Sequence, residues 1–263
     1  MNELKLVNVI IPIYKEKLDK YEEVSLKQAC RILKDYPLTV IKPEGLDLHD
    51  LSIQYPLLTF ENFDDHYFRG ISGYNRLMMS EAFYQRFTDY KYILIYQLDA
   101  YVFKNELEEW CDKGYDYIGA PWLVRPIYSF PLLRLTSWIK KQYCSLFHLP
   151  NSQITNFKVG NGGLSLRKVS SHLEAVSQLH DTIDEFLKHP GNHIFNEDVF
   201  FSVEVNKQGM KFTYPSYQEA LRFSFDKYPS LCYQLNNNQL PFGCHSWYKR
   251  RMKKFWFPFI IPK

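Results

Sequence analysis

Hydrophobic positions along the chain alternate between short unbroken runs and longer stretches at helical spacing. The clearest run is Tyr92 to Tyr96, an apolar and β-branched pentad too short for a helix and uniform enough for a strand covered on both faces. Leu6 to Ile13 is a second such run, and Leu38 to Ile41 and Leu57 to Phe60 are shorter ones. Between them, Glu22 to Leu33 carries Val24, Leu26, Ala29, Cys30 and Leu33 at roughly helical spacing, and Arg76 to Phe87 repeats the pattern. Strand and helix alternating in this way predict an α/β chain with a doubly wound, mostly parallel central sheet flanked by helices. Lys168 to Lys188 reads as one helix, and Met210 to Pro215 and Ala220 to Phe225 as late strands.

Two segments depart from the alternation. Residues 125–150 are basic, aromatic and punctuated by proline, with no acidic residue, which suits an inserted flap over a substrate or a membrane-facing loop. At the end of the chain, Lys249, Arg250, Arg251, Lys253 and Lys254 precede the aromatic-aliphatic cluster from Phe255 to Ile261. That combination suits peripheral contact of 249–261 with an anionic membrane, and equally a segment docked on the core. No repeat and no Gly/Ser-rich linker divides the chain, so residues 1–263 read as a single domain with a flap at 125–150 and a basic, aromatic tail at 249–263.

Composition narrows the class. A net charge of +3 is too balanced to argue for nucleic acid as a partner. The 5 cysteines are odd in number and contain no C-x-x-C pair, which argues against a disulfide framework or a zinc site and fits a reducing compartment. With no signal-peptide pattern and no run of about 20 apolar residues, the expected location is cytoplasmic, with peripheral membrane contact as the extension.

Polar residues cluster where strands end. The central run stops on Gln97-Leu98-Asp99, and open α/β sheets bind ligands at the carboxyl ends of their strands. Asp99 is therefore the first candidate for chemistry, although an Asp that only begins a turn would look the same. Gly160-Asn161-Gly162-Gly163 runs into a strand but lacks the spacing of a nucleoside-triphosphate loop. Asn196-Glu197-Asp198 opens an apolar segment, where a helix cap would explain Asn196 or Asp198 as well as catalysis does.

Taken together these motifs resemble nucleotide-sugar glycosyltransferases of the GT-A fold. Pro12-Ile13-Tyr14 is similar to the P-x-Y of family-two-type transferases, and Gly70 to Asn75 to the segment opening their next helix. Gln97-Leu98-Asp99 stands where D-x-D is found. Gly160 to Arg167, followed by Asn196 to Ser202, resembles inverting β-1,3-transferases of the fringe and core-1 galactosyltransferase groups. With Tyr115 to Trp122 and Gly243 to Trp247, the set is similar to a bacterial glycosyltransferase-like family of largely unknown substrate.

The resemblance implies an inverting hexosyltransferase that uses a nucleotide-sugar donor, taken as UDP-linked, in surface polysaccharide synthesis. It implies Asp198 as base with Glu197 beside it. Donor contacts would come from Pro12, Tyr14, Asn75, Gln97, Asp99, Asn161, Gly162 and Gly163, and Trp122 would face a saccharide or lipid-linked acceptor. A divalent metal, Mn²⁺ or Mg²⁺, would sit on Asp99 and His245, with Gln97 replacing the first acidic position. A catalytically silent sugar- or nucleotide-binding protein on the same fold is the alternative. A nucleotide-sugar hydrolase or nucleotidyltransferase is a third, less favoured because such enzymes usually display more phosphate-binding Lys, Arg and Gly at the first loop than Pro12 to Glu16 does.

Overall fold

The computed structural model describes residues 3–124, 130–147 and 151–261. The outer parts of the expected flap (125–129 and 148–150) and the last residues of the expected tail (262–263) lie outside the described residues.

The central strands β1, β2 and β4 are short and mainly apolar, and helices between strands bury their apolar faces on the sheet. In chain order the strands are β1 (Lys5–Pro12), β2 (Leu38–Pro43), β3 (Leu58–Phe63), β4 (Tyr90–Tyr96), β5 (Tyr101–Val102), β6 (Tyr117–Ile118), β7 (Ala120–Pro121), β8 (Val159–Gly160), β9 (Leu164–Lys168), β10 (Ser224–Phe225) and β11 (Gly243–Cys244). The main sheet has 6 strands in the order β3-β2-β1-β4-β9-β6. The first four are parallel, while β9 runs antiparallel to both β4 and β6. The expected mostly parallel α/β sheet is therefore present, with its change of direction at the glycine-rich segment.

Period-two alternation divides the core. Tyr92, Leu94 and Tyr96 pack on one face, Ile93 and Ile95 on the other, so β4 is covered on both sides. The first helix, Lys20–Ile32, starts at Asp19, whose side chain accepts from the Glu22 backbone while the Glu22 carboxylate accepts from the Asp19 N–H.

A second, 3-stranded sheet, β10-β11-β5, sits beside the first. Its apolar cover comes partly from the C-terminal helix Lys253–Ile260, with Trp256 and Ile260 buried against Tyr101, Phe225 and Trp247. Docking on the core accounts for Trp256 and Ile260 of the tail, while Phe259 stays exposed.

Several local expectations are corrected. Residues 168–188 form two helices, Val169–Gln178 and His180–Leu187. The helix expected over Arg76 to Phe87 instead starts at Gly70 and ends at Met78, and a second helix, Glu81–Gln85, follows it. Residues 220–223 belong to the helix Tyr217–Phe223, capped by Ser216, and only Ser224–Phe225 is strand. Residues 210–215 form no strand, although Thr213 donates through N and Oγ1 to Asp116. For 216–223 and 210–215 a cap and a tertiary hydrogen bond outweigh the local pattern.

Candidate active site

Three two-residue strands bring the first cluster together. β11 pairs in parallel with β10 and antiparallel with β5, so the ends of all three gather at one edge. Asp99 precedes β5, His245 follows β11 and Asp226 follows β10. Asp99 Oδ1 lies 2.8 Å from His245 Nε2, and Asp226 Oδ1 lies 3.1 Å from His245 Nδ1. Lys249 Nζ lies 2.8 Å from the other Asp99 oxygen. Burial would raise the Asp99 carboxyl, but His245 and Lys249 outweigh it and hold Asp99 well below the ordinary carboxylate range. Burial would lower His245, yet Asp99 and Asp226 together lift it to about 9.

The glycine-rich segment makes room for this cluster. A Cβ on Gly163 would stand 2.1 Å from His245 Nε2, and one on Gly162 would stand 1.8 Å from Glu197 Oε1. The space over both glycines is thus filled by side chains of the site, so their first service is to let His245 and Glu197 approach. Asn161 adopts φ +80°, a conformation asparagine tolerates better than most residues. Its Oδ1 accepts from Gly163 N at 2.8 Å, and its Nδ2 lies 3.0 Å from His245 Nδ1. Gln97 N donates to Gly163 O at 2.9 Å, joining the end of β4 to the same segment.

Asp198 is built differently. It lies in the first turn of a continuous helix over 197–207 whose middle, Phe200–Glu204, widens into a π turn. Glu197 is buried and ion-paired with the fully buried Arg167 on β9, Nη2 to Oε2 at 2.9 Å. Arg167 also donates to Tyr84 Oη at 3.1 Å and Ser165 Oγ at 3.1 Å, and lies over the Tyr117 and Phe201 rings. Among the described residues Asp198 has no such partner: its Oδ1 accepts from its neighbour Val199 N, at 2.9 Å. Burial and then the Glu197 charge push its carboxyl up to about 7, against the pull of a helix N-terminus.

Both clusters open into one cleft of about 1560 Å³. Pro12, Tyr14, Asn75, Gln97, Asn161, Gly162, Gly163 and Trp122 line it together with Asp99, Glu197, Asp198 and His245, so every expected site residue reaches the same cavity. Tyr14 is exposed at the mouth. The six-membered ring of Trp122 sits against Gly160, in space that a Cβ there would need, and the residue still lines the cleft. Asn75 is braced at both ends of its amide: Nδ2 donates to Asn196 Oδ1 at 3.0 Å, and Oδ1 accepts from Glu197 N at 3.3 Å. That brace spends Asn196 on Asn75, leaving it no side-chain bond to the helix it precedes.

Sequence reasoning missed Asp226, Lys249 and Arg167. Asp226 follows an apolar residue at a strand end, the same signal that singled out Asp99, but its strand has two residues. Lys249 was hidden among its basic neighbours.

A divalent cation fits the Asp99–His245 pair. His245 Nε2 is buried 2.8 Å from Asp99 Oδ1, and once the imidazole gives up the proton that its two carboxylate neighbours favour, the two atoms can serve as adjacent ligands of one small cation. Asp226 on the far ring nitrogen completes the carboxylate–histidine pattern that orients metal-binding imidazoles. Among the described residues, no group of three His, Cys, Asp or Glu is arranged to hold a metal, so phosphate oxygens and water would supply the remaining ligands.

The chain is similar in fold to solved glycosyltransferases. One is the galactosyltransferase LgtC in complex with donor and acceptor sugar analogs (TM-score 0.56, 12% identity, 94% of this chain and 91% of that one). Mouse xyloside xylosyltransferase 1 in its apo form matches with TM-score 0.54, 13% identity, 93% of this chain and 98% of that one. The apo glycosyltransferase GlyE of Streptococcus pneumoniae TIGR4 matches with TM-score 0.53, 12% identity, 98% of this chain and 61% of that one. Identities this low speak to fold and not to activity. No curated protein matches the chain in sequence. A family model described as a protein of unknown function (DUF5672) matches residues 57–245, a span that runs from β3 to His245 and encloses both carboxylate clusters. The chain has the GT-A fold and belongs to the DUF5672 family.

Proposed function

We propose that the protein is a glycosyltransferase that moves a sugar from a nucleotide-sugar donor, taken as UDP-linked, to a hydroxyl of a saccharide acceptor, with inversion, in surface glycan synthesis. The observation that carries this reading is the sharing of one cleft by two unlike carboxylates: Asp99, held ionised against His245 and Lys249, and Asp198, with a carboxyl near 7.

Donor departure builds negative charge on the diphosphate. Lys249, half exposed beside Asp99, is a cation within reach of that charge. A Mn²⁺ or Mg²⁺ ion held by Asp99 and His245 would neutralise the same oxygens. Tyr14 offers its ring to the nucleotide base at the mouth. Asp198 takes the proton of the acceptor hydroxyl as that oxygen bonds to the anomeric carbon and the carbon–phosphate oxygen bond breaks. A carboxyl near 7 is a stronger base than an ordinary one and still ionised in part at neutral pH. Glu197, tied to Arg167, is a positioning residue: it raises Asp198 and fixes the turn that carries it. Trp122 presents its face to the acceptor sugar.

The test is calorimetric binding of UDP, GDP and CMP with and without Mn²⁺, followed by product anomer assignment by NMR. Metal-strengthened binding of one nucleotide, lost in Asp99→Ala, is expected. Absence of binding by all three would overturn the reading in favour of a silent scaffold, and a product of retained configuration would remove Asp198 as base.

A further inference from the structure

The helix Pro131–Leu146 is amphipathic in the wrong direction for a core helix. A surface helix normally turns its apolar stripe toward the protein. Here Leu132, Leu135, Ile139, Tyr143 and Leu146 recur at spacings of three and four and are all more than half exposed, Leu132 and Leu146 by 72% and 73%. Among the described side chains of the helix, those that meet the protein are small or polar: Cys144 is buried, and Gln153 Nε2 donates to Ser137 O and Oγ, both at 2.9 Å. Trp138 and Phe147 extend the exposed stripe. A contiguous apolar face of this kind marks a surface that something covers.

The charge of the segment says what covers it. Residues 125–150 contain Arg125, Arg134, Lys140 and Lys141 and no Asp or Glu. A second copy would bring the same cations and no acid to answer them. An anionic bilayer accepts both an exposed apolar stripe and a basic segment. Trp138 and Tyr143 are the amphipathic rings that settle at its interface.

We propose that the outward face of the 131–146 helix docks on an anionic lipid bilayer. Thr136, Ser137 and Lys140 of the same helix line the cleft. Docking would therefore hold the cleft mouth at headgroup level, where a saccharide acceptor carried on a lipid would be presented. That use, though not the docking itself, rests on the transferase reading. The contact is distinct from the one expected at 249–261, where Trp256 and Ile260 are committed to the core.

The test is flotation of the full chain with phosphatidylcholine vesicles, with and without roughly 30 mol% phosphatidylglycerol. Wild type is expected to float with the anionic vesicles, and the Leu135→Ser/Ile139→Ser/Leu146→Ser variant about tenfold less, with an unchanged circular-dichroism melt. Equal flotation of the two proteins overturns the proposal. So does a wild-type dimer that the variant splits to monomers while neither floats, which would assign the face to a second copy. Flotation with no sugar transfer to any acceptor supports the docking surface and removes only the transferase reading. Transfer to a soluble acceptor without flotation removes only the docking surface.

Discussion

Asp99 and Asp198 share a cleft and a functional group, and the protein drives them in opposite directions. Asp99 is surrounded by cations: His245 at 2.8 Å and Lys249 at 2.8 Å favour its charged form against the cost of burial. Asp198 is half-buried and, among the described residues, no cation bonds to it, so desolvation and the Glu197 charge prevail over the weaker pull of Arg167. The cation nearest in sequence logic, Arg167, is spent on Glu197, whose remaining charge disfavours ionisation of Asp198. Two carboxylates with separated proton affinities are the arrangement that assigns an ion-holding role to one and a proton-accepting role to the other.

The contrast can be broken most severely at Asp198. Asp198→Asn is expected to lower kcat by about 10²–10⁴-fold, the span of general base catalysis, while nucleotide affinity by calorimetry stays near wild type. A comparable loss of nucleotide affinity would move Asp198 from the acceptor side to the donor side.

Asp226→Asn probes the other cluster through His245. Loss of the carboxylate behind the imidazole is expected to weaken Mn²⁺-dependent nucleotide binding by about 10–100-fold and to leave metal-free binding unchanged. Equal losses with and without metal would make Asp226 a structural residue only.

Removing the charge that separates the two carboxylates should sharpen the comparison. Wild-type kcat/KM is expected to rise with pH through about 7 as Asp198 loses its proton. Glu197→Gln deletes the negative neighbour and leaves Arg167 unopposed, both of which favour ionised Asp198. The acid limb should therefore move down by about one pH unit. An unmoved limb would mean that another group sets it.

The smallest expected effect is on stability. Since the fold raises Asp198 from 3.8 to about 7, the stability associated with its neutral form is complete below 3.8 and is lost as pH rises through about 7. Asp198→Asn should therefore melt above wild type at pH 8, by the equivalent of about 1–2 kcal/mol, and match it near pH 4. A lower melt at pH 8 would mean that ionised Asp198 has a stabilising partner.

Much of this was legible in the chain, and the reason is local. The runs at Leu6 to Ile13, Leu38 to Ile41 and Tyr92 to Tyr96 specify strands through burial on both faces, and the helical spacing between them requires parallel crossovers. The polar breaks in those patterns, at Gln97 to Asp99 and Asn196 to Asp198, marked two elements of the cleft, because polar groups at the ends of buried elements need a ligand, a partner or an opening. The glycines of 160–163 marked close approach, although not what approaches: only the fold puts His245 over Gly163 and Glu197 over Gly162.

What the tertiary structure alone decided is the division of labour. The strands β5, β10 and β11 have two residues each, too few for any periodicity, and their pairing joins Asp99, Asp226 and His245 from distant parts of the chain. The same holds for Lys249 on Asp99 and for Arg167 on Glu197, pairs that sequence spacing does not encode. A carboxylate's identity is written in the sequence, but its proton affinity is set by the burial and the charges that folding brings to it.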